Sequence, residues 1–241
     1  LSQNYMAFYD KLEKANFFLE AALAELEAPF GDETVRYLME TAVGDGGQWD
    51  MFRSLVEKYG VVPKDLMPET TASSATAELR KYMTTKLREY ACELRTAHEA
   101  GEDMEALRAR KDKMMETVYR MLCIALGKPP VRFTWETRDK DKKFIRISDI
   151  TPEEFFKQYI GWNLADMVTV INAPTKDKPY GRTYTVRYLG NVRGGAYPVK
   201  YLNLPMDDLR ELSIRQLRDG RPVWFGSDVG QFSDRKAGYL T

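Results

Sequence analysis

Two adjacent glycines, Gly46 and Gly47, stand directly before the run Gln48-Trp49-Asp50-Met51-Phe52. With no Cβ on either residue, an extended backbone can come close enough to exchange amide and carbonyl hydrogen bonds with them, and a helix behind holds the pair still. That chemistry is the recognition of a peptide. Covalent chemistry is harder to assemble. Nucleophilic catalysis by a thiol needs a thiolate, an imidazole within hydrogen-bond reach of it and a third group that orients the ring. The chain has one histidine and two cysteines. His98 falls at the polar end of a helix, where a cationic ring near the last carbonyls is favourable. Cys92 precedes it by six positions, which is not a contact spacing on a helix. Cys123 sits in the apolar run Tyr119-Arg120-Met121-Leu122-Cys123-Ile124-Ala125-Leu126 and reads as a small buried hydrophobe. Neither thiol has the flanking motif of a reactive cysteine.

Two carboxylate patterns carry residue types suited to metal or acid-base work. Asp139-Lys140-Asp141 offers calcium-ligand types, but no Gly follows at the sixth loop position and no Glu closes the twelfth, so the pattern reads as a charged hairpin turn. Glu153-Glu154 lies where a helix macrodipole favours acids, in a first turn. Gly194-Gly195 reads as a loop between strands. No metal site and no cofactor is expected.

The elements that must position these residues fall into three blocks. Residues 1–72 form a helical lobe. Ser2 caps a long helix whose apolar residues, among them Met6, Phe8, Leu12, Ala15, Phe18, Leu19, Leu23 and Leu26, recur at three- and four-residue steps. A shorter helix spans about 33–41, and a third runs from Gln48 to Tyr59 with Gly60 at its end. Residues 73–128 form a helical hairpin joined near Ala100-Gly101-Glu102. Its stripes, Leu79, Tyr82, Met83, Leu87, Tyr90, Ala91, Leu94 and Leu107, Met114, Met115, Val118, Leu122, Leu126, are expected to bury against each other. Residues 129–241 turn to strand chemistry. Val131 to Trp135 pairs with Phe144 to Ile147 across the charged turn, and Thr151 with Pro152 starts a helix. Strands follow over 167–171 and 183–188, then a helix from Pro205 to Gly220, and Pro222-Val223-Trp224-Phe225 reads as a buried strand. The fold class is α+β: a helical lobe, a helical-hairpin insertion and an incomplete antiparallel β lobe.

Composition bounds the function. The 36 basic and 36 acidic residues balance, which removes a global electrostatic case for nucleic acid. Two cysteines in unrelated contexts make no disulfide framework. No apolar run approaches the roughly twenty residues of a membrane span, and Leu1 begins no signal peptide, so a cytoplasmic protein without a membrane partner is expected.

Beyond these patterns, long segments in order along the chain resemble the papain-like cysteine peptidases, and within them the bleomycin hydrolase and aminopeptidase C branch. Leu1-Ser2-Gln3-Asn4-Tyr5 is similar to the segment that follows the catalytic helix of papain-like enzymes. Phe133-Thr134-Trp135-Glu136, Arg138-Asp139-Lys140-Asp141, Thr151-Pro152-Glu153-Glu154-Phe155 and the stretch from Asp219 to Gly230 are similar to segments of the bleomycin hydrolase branch. The resemblance implies a partial papain-like fold. The catalytic Cys of the family precedes the segment like Leu1-Ser2, and its His and Asn follow the segment like Asp228 to Tyr239. The chain is therefore expected to be an internal, by itself inactive segment of an aminopeptidase that removes N-terminal residues from peptides through a thiol acyl-enzyme.

By the same resemblance Gly46 and Gly47 form short β-like hydrogen bonds with the substrate, and Gln48 and Trp49 line the specificity pocket, although papain has Tyr-Pro at that place. Trp49 reads equally well as a core residue. Val223 is a further pocket candidate. The hairpin is implied to take part in a homo-oligomer, a closed hexamer with the active sites inside. The alternatives are a non-catalytic peptide-binding or assembly scaffold and, more remotely, a nucleic-acid-associated channel protein.

Overall fold

The structure, a computed structural model, describes residues 1–191, 197–227 and 229–240. Gly194-Gly195 and Asp228 lie outside the described residues. The chain divides into two compact units, one of Leu1–Thr169 with Thr185–Lys200 and one of Val170–Tyr184 with Tyr201–Thr241.

The first unit is organised by α1 (Gln3–Ala24). Its cap is the expected Ser2, whose Oγ accepts from the Tyr5 amide at 3.0 Å and donates to the Met67 carbonyl at 2.5 Å, tying the helix start to a distant loop. The apolar residues are so densely spaced that α1 has almost no solvent face. Tyr5, Phe8, Ala15, Phe18, Leu19 and Leu23 are buried, and Lys11, Glu13, Lys14 and Glu20 are buried with them. A buried charge is costly unless paired and hydrogen-bonded, so each of these must find a partner.

The expected hairpin forms as α5 (Ala77–Glu99) and α6 (Met104–Leu126), after a single turn, α4 (Thr71–Ser74), and the shorter α2 (Glu33–Thr41) and α3 (Trp49–Tyr59) earlier in the chain. Both stripes are buried apart from the half-buried Met115 and Tyr82, which is 62% exposed. The stripes do not only face each other: α1, α5 and α6 pack pairwise, and one hydrophobic cluster runs through all three. Arg95 of α5 donates to the carbonyls of Glu25, Leu26 and Ala28 at 2.9, 2.8 and 2.7 Å, supplying donors that the end of α1 lacks. Glu20 accepts from Lys111 at 2.7 Å and from Arg108 at 2.8 Å, fastening α1 to α6.

Gly60 closes α3 with φ 66° and ψ −155°. This is not the left-handed helical conformation of the common glycine cap but a region essentially reserved for glycine. Its role is also steric: a Cβ there would overlap the Pro152 carbonyl and the Glu153 nitrogen. Val61 then donates to the Pro152 carbonyl at 3.2 Å. Pro152 opens α7 (Pro152–Phe155), where Thr151 and Glu154 form a capping box, and one π-helical turn, Phe156–Ile160, continues it. The preceding hairpin is the expected one, β1 (Phe133–Arg138) antiparallel to β2 (Phe144–Ile150). Asp139 Oδ1 accepts from the amides of Asp141 and Lys143 at 2.9 Å each, so the acidic pair is turn chemistry.

The second unit holds a three-stranded sheet in the order β3-β5-β4, where β3 (Val170–Ile171) runs parallel to β5 (Tyr201–Asn203) and β4 (Thr183–Tyr184) antiparallel to it. The strands expected over 167–171 and 183–188 shrink to two residues each. The side chain of buried Asn203 explains part of this, because it bonds Ala173 on both amide and carbonyl, at 2.8 and 3.0 Å, and the Lys178 carbonyl at 2.7 Å. It organises a loop where a longer ladder would run. The helix after Pro205 is α8 (Met206–Arg218), and β6 (Ser233–Asp234) pairs with β7 (Tyr239–Leu240). The buried strand expected over 222–225 does not form. Trp224 and Phe225 are 65% and 74% exposed, and Gln216 Nε2 holds the Pro222 carbonyl at 2.7 Å. A four-residue apolar run cannot specify a strand without a neighbouring edge to pair with, and here the run is tied back to α8 instead.

Candidate functional site

The glycine pair sits between α2 and α3, and two buried lysines of α1 fix it there. Lys11 Nζ donates to the Gly44 carbonyl at 2.8 Å and pairs with Asp45 Oδ1 at 2.5 Å. Lys14 Nζ donates to the Gly44 carbonyl at 3.0 Å and the Gly46 carbonyl at 2.7 Å, and pairs with Asp10 at 2.6 Å. Asp45 reaches α5 as well, accepting from Thr76 Oγ1 at 3.0 Å and Arg80 at 3.4 Å. Burial pushes the Lys14 ammonium below its ordinary value, and Asp10 offsets part of that. Burial alone would raise the Asp45 carboxyl, but the hydrogen bond and charge of Lys11, with Thr76 and Arg80 behind, hold it below its ordinary value.

Gly46 and Gly47 themselves are exposed, and a Cβ on either would meet nothing within 4 Å. Gly46 gives its carbonyl to Lys14. Among the described residues no hydrogen bond engages the Gly47 amide or carbonyl. Gln48 follows as the cap of α3, its carbonyl accepting from Met51 and Phe52 at 3.1 Å each. Beside the loop lies a cavity of about 260 Å³, bordered by Gly46, Gly47 and Gln48 and walled by Phe17, Leu38, Met51 and Leu189 among others. The chain near 190 is held against α3 by Asn191, whose amide donates to the Met51 carbonyl at 3.2 Å, and by Tyr197, whose ring carries the Arg53 guanidinium at 3.6 Å. The Lys200 amide donates to Asp50 at 3.0 Å.

Of the residues expected from sequence, Gly46, Gly47 and Gln48 come together on this cavity. Trp49 does not border it: its ring lies 5.6 Å from that of Phe52, and it packs half-buried against the hydrophobic core. Val223 belongs to the second unit. Lys11, Lys14 and the 188–190 segment were not singled out by sequence reasoning. The two lysines carried a signal, since charged residues inside a helix that is apolar nearly all round must be buried with a purpose.

The polar residues with catalytic potential stay apart. His98 Nε2 lies 2.9 Å from Glu27 Oε1, so the ring bridges α5 to the turn after α1. Cys92 shares α5 with it, about 9 Å away along the axis, and is exposed. Cys123 is half-buried on α6 rather than fully buried as its apolar run suggested. Among the described residues no group of three His, Cys, Asp or Glu is arranged to hold a metal ion, and no helix is long and apolar enough to cross a membrane. The loop leaves room for an extended backbone beside Gly46 and Gly47, and among the described residues no thiol or imidazole borders its cavity.

Comparison with known proteins matches the model of the Peptidase C1-like family to residues 1–241. The chain belongs to the Peptidase C1-like family. It is 49% identical over 240 residues to aminopeptidase C of Streptococcus thermophilus, covering 100% of this chain and 54% of that protein. To the bleomycin hydrolase of Rattus norvegicus it is 40% identical over 241 residues, covering 98% of this chain and 53% of that protein. A crystal structure of PepW from Lactobacillus rhamnosis HN001 superposes with a TM-score of 0.94 at 48% identity, over 98% of this chain and 52% of that one. The chain thus spans about half the length of the curated relatives it matches. The resemblance read from Leu1-Ser2, Phe133 to Glu136 and the other segments is borne out, and with it the α+β fold class of this family.

Proposed function

We propose that this chain is the substrate-holding part of a cysteine aminopeptidase that releases N-terminal residues from peptides through a thiol acyl-enzyme. The observation that carries the reading is the Gly47 backbone: exposed, without a hydrogen-bond partner among the described residues, open where a Cβ would stand, and next to a cavity with apolar walls. An extended peptide would pair its amide and carbonyl with Gly47 and lay a side chain toward Gln48 and Met51. Lys11 and Lys14 hold the loop in place before substrate arrives, which is what a backbone-reading site requires. The nucleophile and its base belong to polypeptide outside residues 1–241, because the free thiols Cys92 and Cys123 lie on α5 and α6, His98 is bonded to Glu27, and none of the three borders the cavity beside the glycine loop. Val223 as a pocket residue, a reducing cytoplasmic setting and a closed homo-oligomer such as a hexamer belong to the same proposal and are supported by the family resemblance.

The test uses the full-length protein. It is expected to hydrolyse an aminoacyl fluorogenic amide and to be blocked by an epoxide thiol inhibitor. Gly47→Val has room for its side chain in the folded chain, so the thermal midpoint stays put while a substrate spanning the loop loses its backbone pairing. Two lost hydrogen bonds are worth about 2 kcal/mol, roughly thirtyfold in kcat/KM. An unchanged kcat/KM in a folded Gly47→Val protein would sink the assignment of the loop.

A further inference from the structure

Lys142, Asp149 and Tyr188 are the described non-glycine residues with positive φ. Two of them are ordinary. Lys142 lies in the charged turn between β1 and β2, and Asp149 is of a residue type that enters the left-handed region readily. Tyr188, at φ 59°, fits neither case, and a bulky aromatic residue held in that region is strained. Such strain persists only where the surroundings fix it, and it gathers at sites that hold a ligand. Tyr188 is placed accordingly. With Leu189 and Gly190 it lines the cavity of about 260 Å³ beside Gly46 and Gly47, and all of these residues belong to the first unit.

The groups that hold Tyr188 are specific. Its hydroxyl donates to Glu25 Oε1, and Arg187 donates to the same oxygen at 2.5 Å while its guanidinium lies 4.8 Å from the Tyr188 ring centroid. Glu25 is the C-cap of α1, where a carboxylate meets the negative end of the helix dipole and gains nothing from the helix itself. Its side chain is nevertheless only 14% exposed, and its backbone carbonyl is fixed by Arg95. The bonds to Tyr188 and Arg187 offset that unfavourable position. Beyond Tyr188 the chain is pinned again. A Cβ on Gly190 would come within 3.1 Å of the Phe17 ring, and Asn191, which is buried, donates to the Met51 carbonyl at 3.2 Å. The wall is therefore clamped at both ends, by Glu25 on α1 and by Asn191 on α3.

We propose that Glu25 is a positioning residue for substrate selection: through the Tyr188 hydroxyl it holds the 188–190 wall at the depth that receives a bulky substrate side chain. This rests on the peptide-holding role of the glycine loop, and the test separates the two. With the full-length protein, kcat and KM are measured for alanyl and phenylalanyl fluorogenic amides. Alanine is too short to fill the cavity, so a loss of wall contact falls on phenylalanine. Tyr188→Phe and Glu25→Ala should each lower the phenylalanyl-to-alanyl ratio of kcat/KM by about fivefold or more, through a higher KM for the phenylalanyl amide. The two substitutions combined should lower it no further, because the side chains form one clamp. Glu25→Gln, which keeps an acceptor for the hydroxyl, should retain most of the ratio. Tyr188→Phe carries the test if Glu25→Ala does not fold. A merely structural role would weaken both amides alike. A ratio unchanged in Tyr188→Phe, or single effects that add in the double variant, would overturn the proposal where Gly47→Val still lowers kcat/KM. An unchanged Gly47→Val would remove the reading of the loop and this proposal with it.

Discussion

Gly60→Ala tests whether the contact between α3 and α7 is as tight as the geometry says. Two separable penalties arise. The first is conformational, since φ 66° with ψ −155° is a glycine region and a side chain there costs about 1–3 kcal/mol. The second is steric, because the new Cβ would overlap the Pro152 carbonyl and the Glu153 nitrogen, backbone atoms that cannot swing aside. Restoring van der Waals distance requires a retreat of roughly an ångström by the start of α7, an overpacking cost of about 1–3 kcal/mol. The sum is near 4 kcal/mol, a large share of the roughly 5–15 kcal/mol that holds a domain together.

Gly101→Ala is the matched control. Gly101 has φ 92° but nothing within 4 Å of its Cβ position, so only the conformational penalty applies. Urea unfolding followed by far-ultraviolet circular dichroism measures both. With a slope of about 3 kcal/mol per molar, Gly60→Ala should unfold at a urea concentration a little over 1 M below wild type, and Gly101→Ala at roughly half that displacement or less. Equal displacements for the two variants would show that the Pro152 contact adds nothing and would refute the steric reasoning.

Three further outcomes follow from the charged residues of α1 and its tyrosines. Lys14→Met keeps the aliphatic stem but removes the one donor that the described residues give the Gly46 carbonyl; relief of a buried ammonium offsets part of the loss, so stability falls by only about 1–2 kcal/mol while kcat/KM of the full-length protein falls at least tenfold through misplacement of the loop. Equal activity at reduced stability would separate the lysine from the site. Burial, joined at Tyr59 by the bond to Glu13, raises the phenols of Tyr5 and Tyr59 above their ordinary value of 10.0, and burial raises Tyr9 likewise. The folded state then holds protons that the unfolded state releases, so this stability is intact below pH 10 and declines as pH climbs above it; Lys14, shifted down, opposes the raised phenols. Tyr5→Phe should therefore flatten part of the alkaline decline of the urea midpoint, and a curve parallel to wild type would exclude the Tyr5 phenol as a cause of it. On the acid side Asp45 sits below its ordinary value, so its contribution holds above pH 4 and fades as pH falls through the folded value; Asp45→Asn should remove that slope.

What sequence could reveal here divides by the distance over which each interaction acts. Ser2 capping α1 and Thr151 capping α7 are contacts across three residues, and they stand where the patterns put the helix starts. The charged turn at Asp139 is local in the same sense. Gly60 was read as a helix stop, which it is, but its reason lies ninety-two positions away at Pro152, beyond any local signal. The run at 222–225 shows the opposite error, where composition alone suggested a buried strand, while Trp224 and Phe225 are exposed and Val223 is half-buried.

The glycine pair illustrates both cases at once. Adjacent glycines before a helix are a local pattern, and it located the loop; nothing local says that the loop is rigid. Rigidity comes from Lys11 and Lys14, more than thirty residues upstream, which α1 buries because its apolar residues leave no solvent face to receive them. A glycine loop without such donors would sample many conformations, and a peptide would have to order it on binding, at a cost of roughly 1–2 kcal/mol for each residue fixed. Two ammonium groups on one helix meet that cost during folding instead. The same buried helix turns Glu13 toward α3 and Glu20 toward α6. Its charges are therefore the means by which a single central element sets the glycine loop, the hairpin and α3 in register, and the apolar periodicity that identified α1 as a helix conceals them.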